Sequence, residues 1–533
     1  VNDIFTEQST PSSDRETRAV NGTDPEAMLA AAPVWPVLLP DAAAMRTGRF
    51  HAADLLWHDA HMFRAPLENA RRVLGVLRQL LSGRRPLRGG EDEFLALCSH
   101  LEGGDPQVVD GIWRDPRTYY WTHAAYGLVS GCCTGAPLSK TLLAYVQAQG
   151  ETAPAAALAR HLDQFKAFVL GVACTRGADC RFQSPLKVSL PFSIPGVRWL
   201  LDGNGAIEIQ GMSAGRIGIT AAGATGHIPL ASAGSSPAGV VLRRECPAAR
   251  HDGYELRLDP HALDVPGLAY AEPALRAGRA YQAQHIPLVQ AALRNMQRYA
   301  PATFAQFRRT IGVAALKPPP WGGYDDYSEP ELPGAFFASA VPNPLELADH
   351  FIHEFHHNRM SSIEEYGPLF DAARGDAFGD TRFYVPWRDK LRALWGAFHA
   401  IFVFVAVGRY WRNVYADPEI GGADREYTVD RLLRLPRQLR LAAGVQQRFA
   451  HLTPMGQAIL EQLSRDVDEL QRDVDSLGLP ADAPAWNVGE DGRYVREVSR
   501  DDGRPLTVKE YLREHLRRND VHQQCTGILS ELG

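Results

Sequence analysis

The sequence predicts a mainly α-helical protein of the α+β class with one small antiparallel β unit. Three observations lead there. Apolar residues recur at spacings of three and four through Glu68–Leu81 and again through Ala156–Val172, the period of amphipathic helices. Near Pro185 the period changes to short runs rich in β-branched residues and cut by Gly, Pro and Asp. Helical spacing returns after Glu272 and holds through the charged C-terminal part.

Composition sets the outer limits. The chain has 533 residues, 45% hydrophobic and 22% charged, which suits several folding units with a sizeable core. Lys and Arg number 56 against 62 Asp and Glu, a net charge of −6. Without basic blocks this argues against nucleic acid as the main partner, because neutralising phosphates needs clustered cations. Seven cysteines are odd in number, and no C-x-x-C pair occurs, so neither a zinc ribbon nor a dithiol redox site is written here. Reduced, mostly buried thiols are the expectation.

Residues 1–33 are polar and acidic, lack the apolar core of a signal peptide, and are expected to be a disordered tail. Residues 34–184 read as an N-terminal helical region, including the basic loop Arg84-Arg85-Pro86 after Gly83. Residues 185–260 read as the β unit, with strands near Leu186–Leu190, Val197–Leu201, Ala206–Gln210, Arg216–Thr220 and Gly239–Arg243, closing at Gly253–Leu258. Within it Gly211-Met212-Ser213-Ala214-Gly215 matches the G-x-S-x-G nucleophile pattern. That motif needs a helix after it. A second strand follows instead, so a hairpin turn is expected. Residues 261–412 are expected to be the catalytic core and residues 413–533 a C-terminal helical region. The longest apolar run, Leu394–Val407, has 14 residues, which is too short to span a bilayer and suits a buried helix. No membrane association and a cytoplasmic location are expected.

The chemistry is concentrated in Asp349-His350-Phe351-Ile352-His353-Glu354-Phe355-His356-His357. His353, Glu354 and His357 form H-E-x-x-H, and residues four apart stack on one helix face, where both imidazoles can meet one cation. A strand candidate, Gly334–Ala340, precedes this helix across a short Pro-containing loop, a zincin-like order. His350 lies near the same stripe, and His356 projects about 60° away from His353. A catalytic metal needs a third protein ligand. The metzincin continuation is absent, since Met360 and Ile363 stand where Gly and His would be required. Glu364 lies two turns beyond His357, about 10 Å along the axis, which puts the same ion out of its reach without a sharp bend. Asp371, Asp376 and Asp380 follow the helix stop at Gly367-Pro368 and are possible returning carboxylates. His399 is the better candidate, because it interrupts an apolar run where a polar side chain needs a reason.

Three stretches, taken in order, carry a resemblance. They are Glu331-Leu332-Pro333-Gly334-Ala335-Phe336-Phe337, then His353-Glu354-Phe355-His356-His357-Asn358, then Tyr384-Val385-Pro386-Trp387-Arg388 followed by Leu394-Trp395-Gly396-Ala397-Phe398-His399. From about Pro318 to Trp411 the chain resembles the HExxH-motif peptide-modification proteins found beside clusters for ribosomally made, post-translationally modified peptides. The resemblance implies an iron(II)- and 2-oxoglutarate-dependent β-hydroxylase acting on a precursor peptide. It implies His353, His357 and His399 as metal ligands. It implies Arg388, with Arg392 in reserve, as the grip on the distal carboxylate of 2-oxoglutarate, which an Arg fork matches bidentately. Glu354 would then hold a hydrogen bond beside the metal or act on a nearby proton. Three protein ligands leave three positions on an octahedral iron, two of them for the keto acid.

The rival is a zinc metallopeptidase in which Glu354 is the catalytic base. Imidazole serves zinc and iron alike. A silent protein that only recruits a precursor peptide is the third class. An edge of the β unit could add a peptide strand, and the charged helices after Arg431 offer a lid or a homodimer surface.

Overall fold

The computed structural model describes residues 42–518, apart from 59–63, 83–90, 103–110, 135–137, 139, 149, 152, 198, 232–238, 244–245, 266–271, 319–325, 375–382, 384, 386, 388–391, 481, 490–492 and 500. The expected tail and the basic loop after Gly83 lie outside the described residues.

The chain is mostly helical with several small antiparallel and mixed sheets, the α+β class. The helix Ala65–Ser82 buries Val73, Leu74, Leu77, Leu80 and Leu81 on one face, as its three-and-four spacing requires. Helices Glu91–Glu102, Pro116–Thr134, Lys140–Ala148, Pro154–Asp163 and Lys166–Arg176 share its core. The last stops at Gly177, whose φ of 65° is a left-handed cap that favours glycine. Strands Cys180–Ser189, Ala206–Ser213, Arg216–Ala221 and Ala224–Pro229 follow as an antiparallel sheet in that order. Ser213 pairs with Arg216, and Ala214 and Gly215 both have positive φ, so G-x-S-x-G is a two-residue hairpin turn.

A second sheet departs from the sequence expectation. The strand Tyr254–Leu258, expected as Gly253–Leu258 to close the β unit, pairs with Ala248–His251 on one side and with Val313–Lys317 on the other, and through the latter with Ala335–Ser339. The last two pairings are parallel. Val313–Lys317 was not expected as a strand. All five of its residues are buried, so it shows no polar–apolar alternation.

This sheet separates two cores. Val313, Ala315, Ala335 and Phe337 join the N-terminal helices and the antiparallel sheet. Ala314, Leu316, Phe336 and Ala338 face the opposite way, into a core shared with the motif helix and the C-terminal helices. The two-residue side-chain period of a strand makes this possible. On the second side lie helices Ile286–Tyr299, Pro344–Glu364, Leu394–Ala416, Gly422–Phe449 and Pro454–Ser476. Leu394–Ala416 is long and apolar enough to cross a membrane, but 83% of its most apolar window is buried in the fold, as expected of a core helix.

Candidate metal centre

The motif helix, Pro344–Glu364, is set by its ends. Pro344 occupies the first turn, and the Asn343 side chain accepts the backbone N–H groups of Leu345 at 2.8 Å and Glu346 at 3.4 Å. Phe351 and Phe355 are fully buried, Phe351 between Phe307 and Phe336. Each such ring contributes roughly 1.5–3 kcal/mol through burial. With that side locked in the core, the histidines are presented on the rest of the surface.

His353 and His357 come together. Their Nε2 atoms are 3.2 Å apart and their rings meet edge to face at 4.8 Å. Two nitrogens bound to one cation at about 2.0–2.1 Å, with an angle between about 90° and 110°, stand about 2.8–3.4 Å apart. The pair therefore fits two positions on one divalent ion. His353 keeps 21% of its side chain exposed, so one side is open. Its ring packs against Phe404 at 5.0 Å, and Trp387, of the Pro-Trp-Arg unit, packs on Phe404 at 4.8 Å.

Glu354 is fully buried. Ser328 Oγ donates to its Oε2 at 2.8 Å, and its Oε1 lies 3.9 Å from His353 Nε2. Asn358 fixes the Glu331–Gly334 stretch against this helix. Its Oδ1 accepts Gly334 N–H at 2.8 Å, and its Nδ2 donates to Ala335 O at 2.9 Å and Ser328 Oγ at 3.0 Å. Burial pushes the Glu329 carboxyl well above the usual range, with the Glu331 and Glu354 carboxylates adding to the shift.

His399 is placed beside the pair but not on it. Its ring lies nearly parallel to that of His357, with centroids 6.0 Å apart. Its Nε2 faces Glu364 Oε2 at 3.1 Å, and Trp395 Nε1 donates to Glu364 Oε1 at 2.8 Å. Among the described residues no three His, Cys, Asp or Glu side chains converge tightly enough to hold an ion. The expected trio His353, His357 and His399 is therefore not gathered on one point: a buried imidazole N–H has taken a carboxylate partner. Glu364 joins the site through His399, a role the sequence reading missed. The two residues are 35 apart, and no local signal joins them.

The remaining candidates separate clearly. Arg388, Asp376 and Asp380 lie outside the described residues. Arg392 exchanges backbone hydrogen bonds with Phe383 at 2.7 and 2.8 Å. Asp371 accepts Ala373 N–H at 3.1 Å, and its own N–H bonds His451 O, so it serves the turn after the helix. His350 Nδ1 lies 2.6 Å from Asp326. Burial disfavours its charge, but Asp326, Asp349 and Glu346 outweigh that and raise its pKa to about 9. His356 is the opposite case: burial lowers it to about 3, with Nδ1 on Ile352 O at 2.7 Å. Both are structural. Glu365 accepts Asn69 Nδ2 at 2.8 Å and the Tyr119 hydroxyl, tying the end of the motif helix to the N-terminal helices.

A scan against protein-family models gives no match, and no curated protein matches the chain.

Proposed function

We propose that this protein is an iron(II)- and 2-oxoglutarate-dependent dioxygenase that hydroxylates the β-carbon of a residue in a ribosomally made precursor peptide in the cytoplasm. The observation that carries the reading is the His353–His357 pair, at ligand spacing, with Trp387 of the Pro-Trp-Arg unit over it through Phe404. In this reading His353 and His357 hold the iron, His399 would have to leave Glu364 to become the third ligand, and Arg388, backed by Arg392, grips the distal carboxylate of 2-oxoglutarate. Iron with 2-oxoglutarate supplies the oxidising power for an unactivated C–H bond. The chain's own residues bind, orient and exclude water. Phe404 and Trp387 cover one flank of the imidazoles with apolar surface. Ser328 and Asn358 hold Glu354 and the preceding loop in one arrangement.

A zinc peptidase is the second reading, favoured by one observation. Glu354 Oε1, 3.9 Å from His353 Nε2, is near enough to take a proton from a water beside that imidazole. Incubation with candidate precursor peptides, Fe(II), 2-oxoglutarate and air, followed by mass spectrometry, tests both. Gain of one oxygen with formation of succinate supports the hydroxylase; chain cleavage independent of 2-oxoglutarate supports the peptidase.

A further inference from the structure

We infer that Glu346 is a buried proton-holding carboxyl that keeps a small C-terminal sheet latched over the start of the motif helix, a hold that loosens when the proton leaves. The inference goes beyond the functional reading above and does not depend on it.

The charges of one cluster point there. Glu346 lies in the first turn of the motif helix and is 3% exposed. Three carboxyl groups, those of Asp326, Glu346 and Asp349, meet two cationic side chains, His350 and Arg431, around this turn. Both cations are committed to other carboxyls. His350 Nδ1 lies 2.6 Å from Asp326 Oδ2, whereas its Nε2 stays 4.0 Å from Glu346 Oε2. Arg431 Nη2 donates to Asp349 Oδ2 at 2.8 Å, where Trp411 Nε1 donates as well, at 2.6 Å. Glu346 is the carboxyl left over, and its Oε1 is buried with no hydrogen-bond partner among the described residues. An ionised carboxylate is costly in that position, so the group keeps a proton instead. In agreement, burial raises its pKa to about 7 and Asp349 adds to the rise, while Arg431, His350 and the Tyr427 hydroxyl oppose it without prevailing.

The elements that cover Glu346 differ in how firmly they are held. The helix Leu394–Ala416 brings Tyr410, whose hydroxyl donates to Leu345 O at 3.0 Å, and the helix Gly422–Phe449 brings Tyr427 and Arg431. Both helices belong to the main core. The remaining cover is the antiparallel sheet Trp486–Val488/Tyr494–Arg496, with strands of three residues each. Its Tyr494 stacks on Tyr427 with centroids 4.2 Å apart, and the Tyr494 hydroxyl accepts Asn343 Nδ2 at 2.8 Å, from the residue that caps the motif helix. That hydroxyl feels the Glu346 carboxyl and gives its hydrogen to Asp424, which also accepts Asn343 Nδ2 at 3.2 Å. A charge appearing on Glu346 has to reach water, and this sheet is the thinnest barrier: its Val495 is 46% exposed. The sheet therefore parts from the helix start before either helix moves.

The test compares the full-length wild type with Glu346→Gln, whose amide imitates the neutral acid. The folded pKa lies above the ordinary 4.5, so the contribution of Glu346 is complete below pH 4.5 and is lost as pH rises through about 7. In denaturant unfolding the two proteins should differ least near pH 4.5. From there to about pH 7 the folded-to-unfolded ratio of the wild type should fall, relative to the variant, by up to about tenfold per pH unit. Titrations that both proteins share cancel in this comparison. The infrared difference spectrum, wild type minus variant, should show the carbonyl stretch of a carboxylic acid near pH 6 and none near pH 8. Amide exchange of residues 486–488 and 494–496 should be about tenfold faster in the wild type than in the variant near pH 8, and equal near pH 5. Stabilities that run parallel with pH, or a difference spectrum without the acid carbonyl near pH 6, overturn the proton-holding role. Equal exchange of the sheet near pH 8 overturns the latch.

Discussion

The side-chain oxygen of Asn358 accepts the backbone N–H of Gly334 at 2.8 Å, joining the motif helix to the loop that leads into the strand Ala335–Ser339. Gly334 has a φ of 83°, and a Cβ there would lie 2.8 Å from Thr310 O, so the tight entry to this strand needs a glycine. Helix, loop and strand are thereby held as one piece around Glu354 and Ser328.

Asn358→Ala should therefore act on both stability and activity. It leaves the part-buried Gly334 N–H and the buried Ala335 O without this partner, a loss of about 1–3 kcal/mol. Denaturant unfolding should show that loss. Turnover should fall by more than the unfolded fraction explains, because Ser328 and Glu354 lose their fixed arrangement.

The His350–Asp326 pair gives the motif helix a pH-dependent hold. The folded pKa of His350, about 9, lies above its ordinary 6.5. Its contribution is therefore complete below pH 6.5 and is lost as pH rises through about 9. Asp326 is held below its ordinary value: burial opposes ionisation, but His350 beside it prevails. Its contribution is present above the ordinary value of 3.8 and is lost as pH falls through the lowered one. Asp326→Asn should thus destabilise most near pH 6 and little at pH 10. Thermal melts of both proteins across that range check the sign, and NMR titration should find the His350 pKa lowered in the variant.

Glu354→Gln separates the two chemistries. The amide can still accept from Ser328 Oγ, so the fold and the metal pair should survive. A hydroxylase should retain part of its 2-oxoglutarate-dependent turnover; a peptidase, deprived of its base, should lose about two orders of magnitude or more. Single-turnover assays on the same peptide give the comparison.

Local features of this fold were legible, and its long-range pairings were not. The motif helix is marked by the Pro-containing loop before it and by its H-E-x-x-H spacing, and the G-x-S-x-G hairpin by the strand on each side. Val313–Lys317 was missed because a strand buried on both faces carries no alternation. The Gly253–Leu258 strand was found but its neighbour was not, since parallel pairing is set by tertiary contact and not by a turn. At the site, four-residue spacing was enough to bring His353 and His357 together. Spacing could not show that His399 would turn to Glu364, because that bond joins two different helices.

The most direct test of the central claim is the visible spectrum of the apoprotein reconstituted anaerobically with Fe(II) and 2-oxoglutarate. Bidentate chelation of the keto acid should give a weak charge-transfer band, lost in His353→Ala and in Arg388→Ala. Absence of any band, together with tight stoichiometric zinc in the purified protein, would contradict the dioxygenase account and leave the peptidase reading in its place.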